Sequence, residues 1–193
     1  MAYLEKKDLF SLEKYSEIRI AFRDKIIQHK KDRRLSLNPH ATLYFEDTLT
    51  MQYQVQEMLH IEKIFDASGI QEELDVYNPL IPDGTNWKAT FMIEYSDISK
   101  RKAALSKLIG VEKSIWVQIE DSEKIYAIAN EDLNRETEDK TSAVHFVRFE
   151  LTQNMCAHAK VGLPITFGID HPYFKTDVIV PAEVQRSLIN DLK

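Results

Sequence analysis

The sequence predicts an α+β fold, with N-terminal helices packed on a mostly antiparallel sheet and a helix at the C-terminus. Three observations predict it. Capped segments with apolar residues at three- and four-residue steps fill the first third of the chain. Short segments with period-two alternation dominate the remainder. The two kinds of segment do not alternate regularly, as they would in a parallel βαβ sheet. The chain has 193 residues and no Gly/Ser/Pro-rich linker, so a single domain over 1–193 is expected, with its weakest joint near 70–86.

The first helix is expected over 11–31. Ser11 can accept an orphan amide of the first turn, and Tyr15, Ile18, Phe22 and Ile26 form one apolar stripe. The basic run Lys30-Lys31-Asp32-Arg33-Arg34 closes it, where cations suit the negative end of the helix dipole. Asn38-Pro39 breaks the chain, and 41–46 reads as a short strand. A second helix is expected over 50–67, with Met51, Val55, Met58 and Phe65 on its apolar stripe and Gln52, Gln56 and Lys63 facing away. Gly69 then suits the left-handed position after a helix end. Residues 70–86 read as irregular, with turns at Asn78-Pro79 and Pro82-Asp83-Gly84, yet their apolar content argues that they pack on the body.

Beyond that point strands are expected over 88–95, 114–120, 124–129, 142–151, 165–170 and 174–180, with Asp121-Ser122 at a hairpin tip. Helices are expected over 99–109, closed by Gly110, and from the Thr152 cap to near Gly162. Pro181 suits the start of the last helix. Residues 131–140 read as an acidic, solvated segment.

Charge and cysteine content exclude several function classes. The net charge is −6, but residues 1–34 carry ten Lys/Arg against six Asp/Glu, so only this segment suits an anionic partner. The lone Cys156 excludes an internal disulfide and suits a reducing compartment. The N-terminus has no apolar h-region, and no apolar run approaches the ~20 residues that span a bilayer. A cytoplasmic protein is expected. There is no Gly-rich phosphate loop, nucleophile elbow, CxxC or HExxH. Cys156, mid-helix beside Met155 and Ala157, reads as a small apolar residue rather than a nucleophile.

Four constellations carry candidate chemistry. Glu57 and His60 stand three residues apart on the second helix, a spacing that lets both reach one metal, although di-iron bundles need two such pairs. The bland alternative is two polar residues on an amphipathic helix. His145 shares a strand face with Ala143, Val147, Phe149 and Leu151, so it points into the core or a pocket, as a hydrogen-bonded core residue or as a ligand. Asp170-His171-Pro172 sits at a strand end, with His171 held extended by the following proline, as a turn or as part of a site. If His145, Asp170, His171 and Glu57 or His60 converge, their N and O donors suit a divalent metal, iron or zinc. Lys30, Lys31, Arg33 and Arg34 read as a solvated helix end, or alternatively as a phosphate- or RNA-binding patch, with no interleaved aromatic to stack on bases.

Residues 41–47 with Thr50-Met51-Gln52-Tyr53-Gln54, then Gln71-Glu72-Glu73-Leu74-Asp75-Val76-Tyr77-Asn78-Pro79-Leu80-Ile81-Pro82-Asp83-Gly84, then 141–151 and Gly168-Ile169-Asp170-His171-Pro172, together resemble a bacterial family catalogued as domain of unknown function 3501. The resemblance spans essentially the whole chain and brings no catalytic residue with it. It implies a setting: family members are often encoded beside rubrerythrin-like proteins and iron–sulfur oxidoreductases. The function expected from it is an accessory protein of a redox or iron-related system that binds a partner protein or a small ligand. A metal-dependent enzyme and a phosphate or RNA binder are the alternatives. One cysteine cannot hold a four-cysteine cluster, so electron transfer would need a partner.

Overall fold

The structure is a computed structural model and describes residues 3–129, 131 and 140–193. The expected acidic segment 131–140 lies almost wholly outside the described residues.

Helix α1 (Leu12–Lys31) starts where Ser11 accepts the Lys14 amide, and it buries Tyr15, Phe22 and Ile26. Strand β1 (Arg34–Asn38) follows at once. Its alternation buries Leu35 and Leu37 and exposes Arg34 and Ser36. This strand begins within the basic run expected to close the helix, because the alternation of Leu35 and Leu37 takes over from Arg34. Strand β2 (Ala41–Phe45) leads into α2 (Thr48–Glu62), where Asp47 and Thr50 cap each other reciprocally. Helix α2 ends earlier than expected, because Lys63 takes the left-handed conformation at φ 57°. Asp66 then accepts the Gly69 amide and caps a new helix, α3 (Ala67–Tyr77). Gly69 therefore opens a helix rather than closing one. A Cβ there would stand 2.6 Å from Ile64, so its smallness admits the preceding loop.

Two further readings of this region change. Phe65 falls beyond the α2 stripe and is 79% exposed. Gln56 faces inward and is fully buried, because its side-chain oxygen accepts the Phe10 amide at 2.5 Å. Residues 70–86 are mostly ordered: α3 runs into a 3₁₀ turn, Asn78–Leu80, before β3 (Asn86–Ile93).

Helix α4 (Ile98–Lys107) precedes strands β4 (Ile115–Ile119), β5 (Ile125–Tyr126), β6 (Ile128–Ala129) and β7 (Val144–Glu150). Helix α5 (Gln153–Lys160), capped by Thr152, precedes β8 (Ile165–His171), β9 (Phe174–Ile179) and α6 (Ala182–Ile189). Among the described residues all strand pairings are antiparallel. The first sheet has the order β1-β2-β3-β7-β6 and the second β5-β4-β8-β9. The sheets stack face to face. Along one side the chain passes directly from β5 to β6, and along the other Thr176 Oγ1 donates to Leu37 O.

The main core fills the space between the sheets with Phe45, Trp87, Phe91, Phe149 and Phe167, and α5 and α6 close its ends. Trp87 Nε1 donates to Leu188 O at 2.9 Å, which ties α6 to β3. Helices α1, α2 and α3 form their own apolar clusters beside this sandwich. On the far side of the second sheet, a Cβ on Gly168 would stand 2.3 Å from the Trp116 ring, so only glycine lets that indole lie on the strand. Among the described residues no helix is long and apolar enough to cross a membrane.

The two parts meet at Arg33, which is 2% exposed. Its guanidinium donates to Phe45 O, Glu46 O and Ser187 Oγ, and it pairs with Asp191 at 2.7 Å and Asp47 at 3.3 Å. His29 Nε2 lies 2.6 Å from the same Asp47 carboxylate. A buried guanidinium is tolerable because its donors are met and its charge is compensated. Removing it leaves two carboxylates at the junction, so Arg33→Met is expected to lower stability by about 3–5 kcal/mol in urea titration. Burial pushes the Asp191 carboxyl up to about 6 from its ordinary 3.8. The unfolded chain loses that proton first, so Asp191 costs stability as pH rises from about 4 to about 6. Asp191→Asn removes this slope. Its stability relative to the natural chain is therefore expected to rise across that window, as read from urea midpoints.

Candidate functional site

Glu57 and His60 do lie on one helix, but both serve the α1–α2 contact. Tyr15 Oη donates to Glu57 Oε1 at 2.6 Å, and Arg19 donates to both carboxylate oxygens at 2.8 Å. The Arg19 guanidinium, with help from the Tyr15 hydroxyl, holds the Glu57 carboxyl down at about 2. The His60 ring stands edge-on to Tyr15, and its Nδ1 is 3.4 Å from Ser16 Oγ.

His145 is fully buried on the inner face of the first sheet, as strand alternation predicts. Its Nε2 lies 3.0 Å from both Ser142 O and Thr141 Oγ1. A carbonyl only accepts, so Nε2 carries its hydrogen. Asp170 faces the opposite side of the molecule, on the second sheet, where Lys124 Nζ and Tyr126 Oη donate to it. The ion pair with Lys124 holds its carboxyl low. His171, one residue on, points to the other face of its strand. Its Nε2 donates to Ile109 O and its Nδ1 accepts the Tyr173 amide.

The five metal candidates are thus spread over three places. Among the described residues, no three His, Cys, Asp or Glu side chains are grouped to hold a metal ion. The convergence on which a shared metal site depended, of His145, Asp170 and His171 with Glu57 or His60, is not found, because strand order puts β7 and β8 in different sheets and the helix pair outside both. The basic segment is also divided. Lys30 and Lys31 finish α1, Arg33 is buried on carboxylates, and Arg34 lies over the Tyr44 ring at 5.7 Å on the outer face of the first sheet. They do not form one anion-binding patch. Cys156 packs in the main core, and burial pushes its thiol up.

The most site-like feature lies elsewhere. A cleft of about 640 Å³ opens between the outer face of the first sheet and the end of α3. Val76, Tyr77, Pro79 and Leu80 form one wall. Lys88 of β3 and Phe146 and Arg148 of β7 form the floor, and Glu46 closes one side. The register explains the floor: Lys88 pairs with Arg148 and Thr90 with Phe146, so these side chains share the face turned away from the core.

Each charge in the cleft is held differently. Lys88 Nζ donates to Pro79 O at 2.7 Å and Ile81 O at 2.8 Å, and burial pulls its ammonium below the ordinary 10.5. Glu46 is 8% exposed; Oε1 accepts from Thr90 Oγ1 and Oε2 from Thr50 Oγ1. Arg148 is committed to Glu131 and Glu150.

The profile of the family described as "Protein of unknown function (DUF3501)" matches residues 3–192. The chain belongs to this family. A crystal structure of a protein from Burkholderia pseudomallei K96243, described as a novel protein of unknown function, is similar throughout. It is 47% identical, the match covers 99% of this chain and 100% of that one, and the TM-score is 0.93. No curated protein matches the chain. In this DUF3501 chain one of the stretches that carry the resemblance, 71–84, supplies the α3 wall and the two carbonyls on Lys88.

Proposed function

We propose that this chain is a cytoplasmic accessory protein that binds a small ligand in the cleft between α3 and the outer face of the first sheet, within a redox or iron-related system. The cleft itself carries the reading. Its volume, about 640 Å³, falls inside the range of roughly 300–1,000 Å³ typical of small-molecule sites. It is lined mainly by apolar groups with a few convergent polar ones, and it lies at a junction between separately packed layers. The redox setting, with a rubrerythrin-like or iron–sulfur protein as partner, rests on the gene neighbourhood that the family resemblance implies. The dispersal of the histidines and the burial of Arg33 weigh against a shared metal site and against phosphate or RNA binding at 30–34.

Val76 is exposed on the wall of the cleft, so a larger side chain there fills the cleft without entering the core. Saturable binding of the neutral dye Nile red is expected for the natural chain. Val76→Trp is expected to weaken it at least about tenfold with no change in thermal midpoint. Unchanged dye binding by that variant places the ligand site elsewhere.

A further inference from the structure

Two opposite charges line the cleft and do not pair with each other. Glu46 and Lys88 are neighbours across β2 and β3, since the Glu46 amide donates to Lys88 O at 2.9 Å. Their side chains nevertheless diverge. Lys88 reaches the carbonyls of Pro79 and Ile81 at the end of the α3 wall, and Glu46 turns to the hydroxyls of Thr50 and Thr90. Among the described residues, no carboxylate stands within ion-pair distance of Lys88 Nζ and no cation within that distance of the Glu46 carboxylate. Of the other charges of the cleft, Arg148 pairs with Glu131 and Glu150, and Asp75 stands exposed at the rim, outside the space between the α3 wall and the sheet, where the Gln71 amide donates to it at 2.7 Å.

Each of the two is left with one kind of unused capacity. An ammonium has three hydrogens, and the two carbonyls take two of them. A carboxylate oxygen with one hydroxyl donor keeps a further lone pair. The cleft therefore offers one donor with positive charge, on β3, and one acceptor with negative charge, just past the end of β2, beside an apolar surface of Val76, Leu80 and Phe146.

We infer that the ligand is a zwitterion of the α-amino acid class with an apolar side chain: its carboxylate on Lys88, its ammonium on Glu46, and its side chain between the α3 wall and Phe146. This rests on the reading of the cleft as a ligand site. A monoanion with the same apolar frame would pair with Lys88 alone, and a monocation with Glu46 alone. Each such ligand forgoes one of the two ion pairs, which ranks it below the zwitterion.

Titration calorimetry with L-phenylalanine, N-acetyl-L-phenylalanine and phenethylamine tests the inference. Phenylalanine is expected to bind, and each analogue, which lacks one of the two charges, at least about tenfold more weakly. Lys88→Met is expected to abolish phenylalanine binding. Glu46→Gln is expected to erase the preference for phenylalanine over its N-acetyl form. Nile red binding and the circular dichroism spectrum report whether each variant keeps its fold and its cleft, and the ranking of the three ligands on the natural chain needs no variant. Equal affinity for all three ligands overturns the zwitterion assignment. So does a lack of phenylalanine binding to about 10 mM while Nile red still binds, and in that case the cleft reading survives. Failure of both probes overturns both.

Discussion

Arg33 holds the helical part and the sandwich in one arrangement. The residue sits between the end of α1 and the start of β1, and its bonds reach the end of β2, the cap of α2 and the C-terminal end of α6. Asp47 is thereby shared: one oxygen caps α2 and the other faces Arg33 and His29. This fixes where α2 leaves the sheet. Glu46, the residue between strand and helix, can then turn its carboxylate onto the outer face of β3 rather than into the core.

The second constraint is the stem of Lys88. An amine on an outward-facing strand position would ordinarily reach for water. Here it spans to two carbonyls just past α3, which keeps that helix end beside the sheet without letting it pack flat upon it. The space left between them is the cleft. The helical part has its own apolar clusters, so it does not need the outer face of the first sheet to satisfy its hydrophobic stripe. That face stays available to a ligand.

Much of this was legible in the residue pattern, and the failures have specific causes. Strand alternation placed His145 inward with Val147 and Phe149, because one buried face forces period two. The caps at Ser11 and Thr152 marked helix starts accurately. Strand β1 was hidden because its first residue belongs to a basic run that also suits a helix end, and only Leu35 and Leu37 reveal the alternation. Helix α3 was missed because Asp66-Ala67-Ser68-Gly69 serves equally as a C-terminal stop or as an N-cap, and the left-handed Lys63 that decides between them carries no sequence signal. The metal reading depended on a convergence that local pattern does not encode: the fold assigns the five residues with suitable donors to a helix pair and two different sheets. The cleft could not be read at all from local pattern, since Glu46, Lys88 and Val76 are brought together only by strand pairing and the placement of α3. Even so, 70–86 was singled out for its apolar content, and that segment borders the cleft.

The most direct measurement is a ¹⁵N–¹H NMR titration of the natural chain with L-phenylalanine. The account predicts saturable shifts confined to the amides of 75–78, 80–81, 88–90 and 146–148 together with Glu46, and none around His40 and Tyr95 at the far end of the same sheet face. Shifts centred on that far end, or spread evenly over the surface, contradict it.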